Sequence, residues 1–204
     1  MTPQEKKASL RALTLAKRDA LTPTQKAAHG QTLLYHAINT LNVPAGTMLA
    51  GFWPIRSEPD IRAMLAHFQS LGVHLCLPAV IDRETIVFRH WVVGSALHPA
   101  GFGTMSPGAD APVVDPDVLL MPLSAFDRRG NRIGYGAGHY DRAIHKLHEK
   151  GRLPRLIGIA FDVQEVPSVP AEPHDVALSA ILTESGLRNF VKGNQADNAD
   201  SLSG

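Results

Sequence analysis

Cysteine is all but missing from this chain. Cys76 is the single one in 204 residues, which excludes an internal disulfide and a zinc site built on cysteines. It stands in the apolar run 73–77 and reads as a buried, inert thiol. Long apolar runs are missing too. No stretch approaches the roughly 20 residues that a helix needs to cross a bilayer. The opening residues, MTPQEKKASLRALTLAKRDA, carry charges but no apolar core of signal-peptide length. The expectation is a cytoplasmic protein with no membrane association. Nor is there an excess of one charge: 20 Lys and Arg face 19 Asp and Glu, for a formal net charge of +1. That balance excludes recruitment to nucleic acid by bulk charge, and leaves room for a local cluster around an anionic ligand.

What the chain does have is enough apolar residue, 44%, to bury a core without staples. Leu10, Leu13 and Ala16 recur at helical spacing among basic residues. Thr22-Pro23 opens a second helix, with a capping Thr and Pro at the first helical position. Leu33, Leu34, Ala37, Ile38 and Leu41 are expected to turn its apolar face inward. The nearly all-apolar run 47–53 reads as a strand covered on both faces, residues 59–69 as a helix with Ile61, Leu65 and Phe68 inward, and 73–77 and 86–90 as strands. A Gly- and Pro-rich crossing fills 92–116. Then come a buried strand at 118–121, a loop over 122–138, a helix over 140–150, a strand at 156–160 and a last strand at 180–183. Strands alternating with helices imply an α/β fold with a largely parallel sheet. A single domain over 1–190 is expected, with a polar, disordered tail over 191–204.

The chemistry concentrates in DVLLMPLSAFDRRGNRIGYGAGHYDRAI, residues 117–144. Gly134, Gly136 and Gly138 alternate just before a helix. Glycine leaves no side chain in the way of a ligand and tolerates positive φ. The helix start then offers unpaired N–H groups and a partial positive charge. Together these form a physical recipe for holding phosphate, with Arg132 and Arg142 at its flanks. The spacing differs from both G-x-G-x-x-G and the P-loop. Asp141 falls in the first helical turn, as a helix-start acid or as a carboxylate for magnesium. Lys7 and Arg11, four apart, share one helix face, open to solvent or to an anion.

Asp127-x-x-Gly130-x-Arg132-Ile133-Gly134-x-Gly136-x-Gly138-x-Tyr140-Asp141-Arg142 resembles the signature of the 5-formyltetrahydrofolate cyclo-ligase family. Lys7-x-x-x-Arg11, Gly51-Phe-Trp-Pro-Ile-Arg-Ser-Glu58, Val87-Phe-Arg89, Glu172-Pro-His174-Asp175 and Ile181-Leu-Thr183-Glu184 resemble further family segments in family order, so the likeness runs from about residue 6 to residue 187. It implies a three-layer α/β/α sandwich with a mainly parallel sheet, like the NagB/RpiA/CoA-transferase proteins. The reaction implied is ATP- and Mg2+-dependent conversion of 5-formyltetrahydrofolate to 5,10-methenyltetrahydrofolate, in a monomer or weak homo-oligomer whose partner is a reduced folate.

By the same resemblance Arg132, Tyr140 and Asp141 are catalytic. Lys7, Arg11, Arg132 and the turn Gly134, Tyr135, Gly136, Ala137, Gly138, His139, Tyr140 and Asp141 bind ATP. Asp141 holds the metal, and Trp53, Glu58, Phe88 and His139 contact the folate. Bulk chemistry alone leaves Trp53 and Phe88 as pocket or core residues, Tyr140 as a site or core ring, and Glu58 as a pterin acceptor or an acid leading into the next helix. Four places depart from the family pattern: His139 stands for a Tyr, Ser179 for an Asp, Gly101-Phe-Gly-Thr-Met-Ser-Pro107 matches its loop only loosely, and Ser124 and Ala125 replace a Gly-containing lead-in. A binder of folate or a nucleotide without turnover, and a sugar-phosphate isomerase or acyl-CoA transferase on the same fold, are the competing readings.

Overall fold

The computed structural model describes residues 1–101 and 103–190; the expected tail over 191–204 lies outside them. Two long helices open the chain, α1 (Pro3–Asp19) and α2 (Pro23–Thr40). Both begin on a capping box with Pro at the first turn: Thr2 with Glu5, and Thr22 with Gln25. Each box satisfies N–H groups that a helix start leaves unpaired. Then follow β1 (Met48–Ala50), α3 (Arg62–Ser70), β2 (His74–Val80), β3 (Ile86–Trp91), the short pair β4 (His98–Pro99) and β5 (Met105–Ser106), and β6 (Val118–Pro122). A second short pair, β7 (Ala125–Phe126) and β8 (Arg132–Ile133), leads to α4 (His139–Glu149), β9 (Arg155–Ile159), a 3-10 turn at Asp162–Gln164, β10 (Ala180–Thr183) and β11 (Gly186–Asn189).

Seven strands form the main sheet, in the order β11-β10-β9-β6-β1-β2-β3. The central pairings β10–β9, β9–β6, β6–β1 and β1–β2 are parallel; β10–β11 and β2–β3 at the two edges are antiparallel. The strands are apolar on both faces because helices cover both. Side chains alternate along each strand. Leu49, Leu75, Leu77, Leu120, Ile157 and Leu182 face a core shared with Leu33 and Ala37 of α2 and Met64, Leu65 and Phe68 of α3. Their neighbours Ala50, Cys76, Leu119, Met121, Leu156 and Ile181 face the opposite core with Ala143, Ile144 and Leu147 of α4. This is the expected α/β sandwich. Cys76 is buried in it, and burial pushes its thiol pKa upward. Among the described residues no helix is long and apolar enough to cross a membrane.

On α1 Leu13 is exposed, Leu10 packs against Ala125, Ile133, Val166 and Val169, and the fully buried residues are Thr14 and Arg18. The polar side of this helix packs inward because it lies over the site rather than over the sheet. Three expectations need correction. Ile38 is likewise exposed, since only Leu33 and Ala37 of α2 are fully buried. The sheet does not end at residues 180–183, for β11 adds an antiparallel edge. Finally, the loop 122–138 holds the β7–β8 ladder. Its turn is organised by the fully buried Asp127, which accepts from the backbone N–H of Arg129, Asn131 and Val169 and from the Asn131 amide.

Candidate active site

The parallel strands β1 and β6 run side by side, and the segments that leave their carboxyl ends form a cavity of about 430 Å3. Such sheet ends are where open α/β folds hold ligands. The cavity walls include Trp53 and Glu58 from the β1 loop, Arg132 from β8, Gly134 to Asp141 apart from Gly136, and Thr104 and Met105 beside β5.

Only three residues of the expected strand 47–53 join the sheet ladder. Past Gly51 the chain turns outward into Phe52 and Trp53 and reaches a tight turn. Glu58 N–H donates to the Ile55 carbonyl (3.1 Å), and Ile55 N–H donates to Glu58 Oε2 (2.8 Å). Arg56, inside this turn, has φ 53°. A non-glycine residue pays about 1–3 kcal/mol for such a backbone, and it persists only where its surroundings dictate it. Here they aim a carboxylate. Glu58 Oε1 accepts from the Tyr135 hydroxyl at 2.6 Å, and that hydroxyl accepts from Arg18 Nη1 at 2.9 Å. Burial raises the Glu58 pKa; Tyr135, the Ile55 N–H, Arg18 and Arg56 oppose the rise.

The glycine turn is the second wall. Gly136 and Gly138 have φ of 102° and 68°. At Gly138 an added Cβ would also lie 2.7 Å from Arg142 Nη1, so the last residue before α4 is restricted twice over. Arg142 braces this turn, donating to the Ala137 carbonyl at 2.6 Å and to the Glu84 carbonyl at 2.7 Å. Arg11 Nε reaches the Gly134 carbonyl at 2.8 Å, and its guanidinium lies 3.5 Å from where a Gly136 side chain would begin. His139 Nε2 sits 2.8 Å from the Arg83 carbonyl.

Arg132 and Asp141 form the third feature. Arg132 Nη2 donates to Asp141 Oδ1 at 2.7 Å, with the arginine side chain only 5% exposed. The Val176 N–H also points at Oδ1, at 3.3 Å. Arg132 Nε and the Tyr140 hydroxyl are buried polar atoms with no partner among the described residues. Burial of the hydroxyl pushes the Tyr140 pKa well up, so its phenol stays protonated as a donor. Lys7 lies on the adjoining segment 172–176, with Nζ 2.7 Å from Glu172 and 2.6 Å from Asp175. Burial lowers the Lys7 pKa, but the two carboxylates outweigh it and leave the ammonium more basic than usual.

Most residues expected at a site are therefore gathered here. Trp53, Glu58, Arg132, Gly134, Tyr135, Ala137, Gly138, His139, Tyr140 and Asp141 line one cavity, with Arg11 against the glycine turn and Lys7 beside the segment that bonds Asp141. Phe88 does not join them. It is 3% exposed in the core beneath α4, and Ile86 lines the cavity from the same strand. Tyr135, expected on the nucleotide side, reaches across to Glu58. Arg18 and Ser57 were not expected at all; the signal for Arg18 is its place seven residues after Arg11, on the same face of α1.

The matched region of this chain extends over the whole site. The family model described as the 5-formyltetrahydrofolate cyclo-ligase family matches residues 3–184. The 5-formyltetrahydrofolate cyclo-ligase of Escherichia coli K12 is 30% identical over 175 residues, covering 83% of this chain and 95% of that protein. That of Haemophilus influenzae is 28% identical over 171 residues, covering 81% and 90%. A 5,10-methenyltetrahydrofolate synthetase structure from Mycoplasma pneumoniae superposes with a TM-score of 0.71 at 25% identity, covering 87% of this chain and 98% of that one. An NMR structure of the Aquifex aeolicus 5,10-methenyltetrahydrofolate synthetase shares the fold, with a TM-score of 0.76 at 23% identity and coverage of 97% and 99%. Motif, fold and cavity walls thus converge, and the chain belongs to the 5-formyltetrahydrofolate cyclo-ligase family.

Proposed function

We propose that this protein is an ATP-dependent ligase that converts 5-formyltetrahydrofolate to 5,10-methenyltetrahydrofolate, with release of ADP and phosphate. The observation that carries the reading is a single cavity that joins a half-buried, two-point-anchored carboxylate, Glu58, to a glycine turn flanked by Arg132 and Asp141. One end suits a flat heterocycle with N–H donors; the other suits phosphates.

The N5-formyl group is an amide, and its oxygen is a poor leaving group. Transfer of the γ-phosphoryl group to that oxygen makes it a good one. N10 then attacks the formyl carbon, the ring closes and phosphate departs. The protein has to align oxygen with phosphorus and offset charge spreading over the transferring group. It also has to keep water from the activated intermediate. No side-chain nucleophile is needed. Arg132, buried and with Nε unpartnered, supplies fixed positive charge where the transferring group passes. The Tyr140 hydroxyl, also buried and unpartnered, supplies a neutral donor beside it. The glycine turn admits the phosphates close to the backbone, and Lys7 and Arg11 meet the nucleotide from α1. Glu58 accepts pterin N–H groups, Trp53 covers the ring, and His139 closes the mouth between the two ligands.

The residues present fit a nucleotide-borne magnesium ion. Among the described residues no cluster of three or more His, Cys, Asp or Glu forms a metal cage. Magnesium commonly takes one or two carboxylates together with phosphate oxygens and water. Asp141 would hold the ion, which when bound would offset phosphate charge. The sequence expectation of a monomer or weak homo-oligomer in the cytoplasm is kept as part of this proposal.

The test is turnover of purified protein with 5-formyltetrahydrofolate and ATP, following methenyl absorbance and ADP release together. Coupled growth of both signals supports the reading. A folded protein that binds the folate and yields neither product would instead be a folate binder.

A further inference from the structure

The mechanism above leaves a fully buried cation unused. Arg18, at the C-terminal end of α1, is 0% exposed. Burying a guanidinium is costly unless it is bonded and its charge is compensated. Yet among the described residues no carboxylate lies against it. Each nearby acid is reached through a hydroxyl. Arg18 Nε donates to Ser57 Oγ at 2.9 Å, and Ser57 Oγ donates in turn to Asp19. Arg18 Nη1 donates to the Tyr135 hydroxyl at 2.9 Å, and that hydroxyl donates to Glu58 at 2.6 Å. The guanidinium carbon also lies 5.8 Å from the Tyr135 ring centroid, within cation–π range. Arg18 therefore grips the β1 loop one residue before Glu58, and grips the glycine turn through the residue that bonds Glu58.

We infer that Arg18 is a positioning residue for the folate side of the cavity, fixing through Ser57 and the Tyr135 hydroxyl the orientation and the acceptor character of Glu58. The inference rests on the proposed folate site. Each Glu58 oxygen already accepts one bond, Oε1 from Tyr135 and Oε2 from the Ile55 N–H. A carboxylate oxygen has a further lone pair. With its rotamer set, Glu58 presents both oxygens side by side to a ligand with two adjacent N–H donors, the pattern of a pterin edge. A guanidinium that donates to the phenol oxygen also sharpens the phenol as a donor to Glu58, because bonds in such a chain polarise one another. The charged and titratable groups acting on Glu58 are Arg18 from α1, its neighbour Arg56 and Tyr135 from the glycine turn; Tyr140 of α4 feels the Glu58 charge in return. Of these, Arg18 is the fully buried cation.

The test measures folate and ATP kinetics across pH for Arg18→Met, Arg18→Lys and Tyr135→Phe, with Glu58→Gln as reference. Arg18→Met is expected to raise the folate KM about tenfold, the worth of one lost charge-assisted hydrogen bond, with the ATP KM unchanged. Without the cation, Glu58 takes up a proton at higher pH, so the acid limb of kcat/KM for folate moves upward. Arg18→Lys keeps the charge and loses the fork: the folate KM rises while the acid limb stays near that of the parent. Tyr135→Phe breaks the relay with Arg18 in place, and Arg18→Met adds little on top of it. Should Arg18→Met fail to fold, Arg18→Lys and Tyr135→Phe decide. Equal rises in both KM values, or an unmoved acid limb in Tyr135→Phe and in any folded Arg18→Met, would overturn the inference and leave Arg18 a packing residue. If Glu58→Gln leaves folate binding intact, it is the folate-site reading that fails.

Discussion

The two ends of α1 serve opposite walls of one cavity and do so by different physics. At the C-terminal end Arg18 is sealed and bonded through hydroxyls by Nε and Nη1, while its buried Nη2 has no partner among the described residues. At the N-terminal end Lys7 sits in a partly exposed pair with Glu172 and Asp175, and Arg132 is paired with Asp141 beyond it. On the proposed folate side the acceptors are held in place by the chain itself. On the proposed phosphate side Lys7 is held by the chain's own carboxylates, Glu172 and Asp175. A largely neutral heterocycle would be met by fixed acceptors. A polyanion would be admitted by exchange at Lys7, since partly exposed ion pairs cost little to break.

This contrast predicts a graded set of outcomes. Arg132→Ala should have the largest effect, lowering kcat/KM by about 10³-fold, as expected when a preorganised cation is removed from phosphoryl transfer. Asp141→Ala should lower turnover by about 10²-fold and move Tm by only a few degrees; equal loss of both would make Asp141 structural. Glu58→Gln should raise the folate KM about tenfold and leave the ATP KM alone. Its pH counterpart has a definite sign. Burial raises the Glu58 pKa, so folate affinity is complete above that raised value and falls away as pH drops through it, at higher pH than an ordinary carboxylate would give. The smallest change is the most informative about exchange. Glu172→Gln releases one of the two acids on Lys7 and should lower the ATP KM about threefold; a raised ATP KM would mean that Glu172 supports the nucleotide rather than standing in for it.

The α/β alternation was legible because each buried strand is a short apolar block bounded by turn residues, and the glycine turn was legible because three glycines precede a helix. Phe88 was misplaced because a strand aromatic looks the same whether it lines a pocket or fills a core; it shares the face of Ile86, two residues earlier, and packs in the core with Ala143, Ile144 and Leu147 of α4. Tyr135 carried no sign that it reaches a residue 77 positions away. Arg18 was hidden for a related reason. A basic residue on a helix rich in Lys and Arg reads as a solvated charge, and only the packing of α1 over the cavity shows that Thr14 and Arg18 form its buried side. The β7–β8 ladder escaped because two-residue strands have no period to detect, although Asp127 followed by Gly130 is a turn signal.

The decisive measurement is a paired titration of Glu58→Gln and Arg132→Ala, reading methenyl product and ADP release against both substrates. A folate wall and a phosphate wall meeting in one cavity predict that the parent forms the two products in equal amounts. They also predict that Glu58→Gln is rescued by excess folate, while Arg132→Ala is rescued by neither substrate. Rescue of Arg132→Ala by folate, or of Glu58→Gln by ATP, would contradict the division of the site.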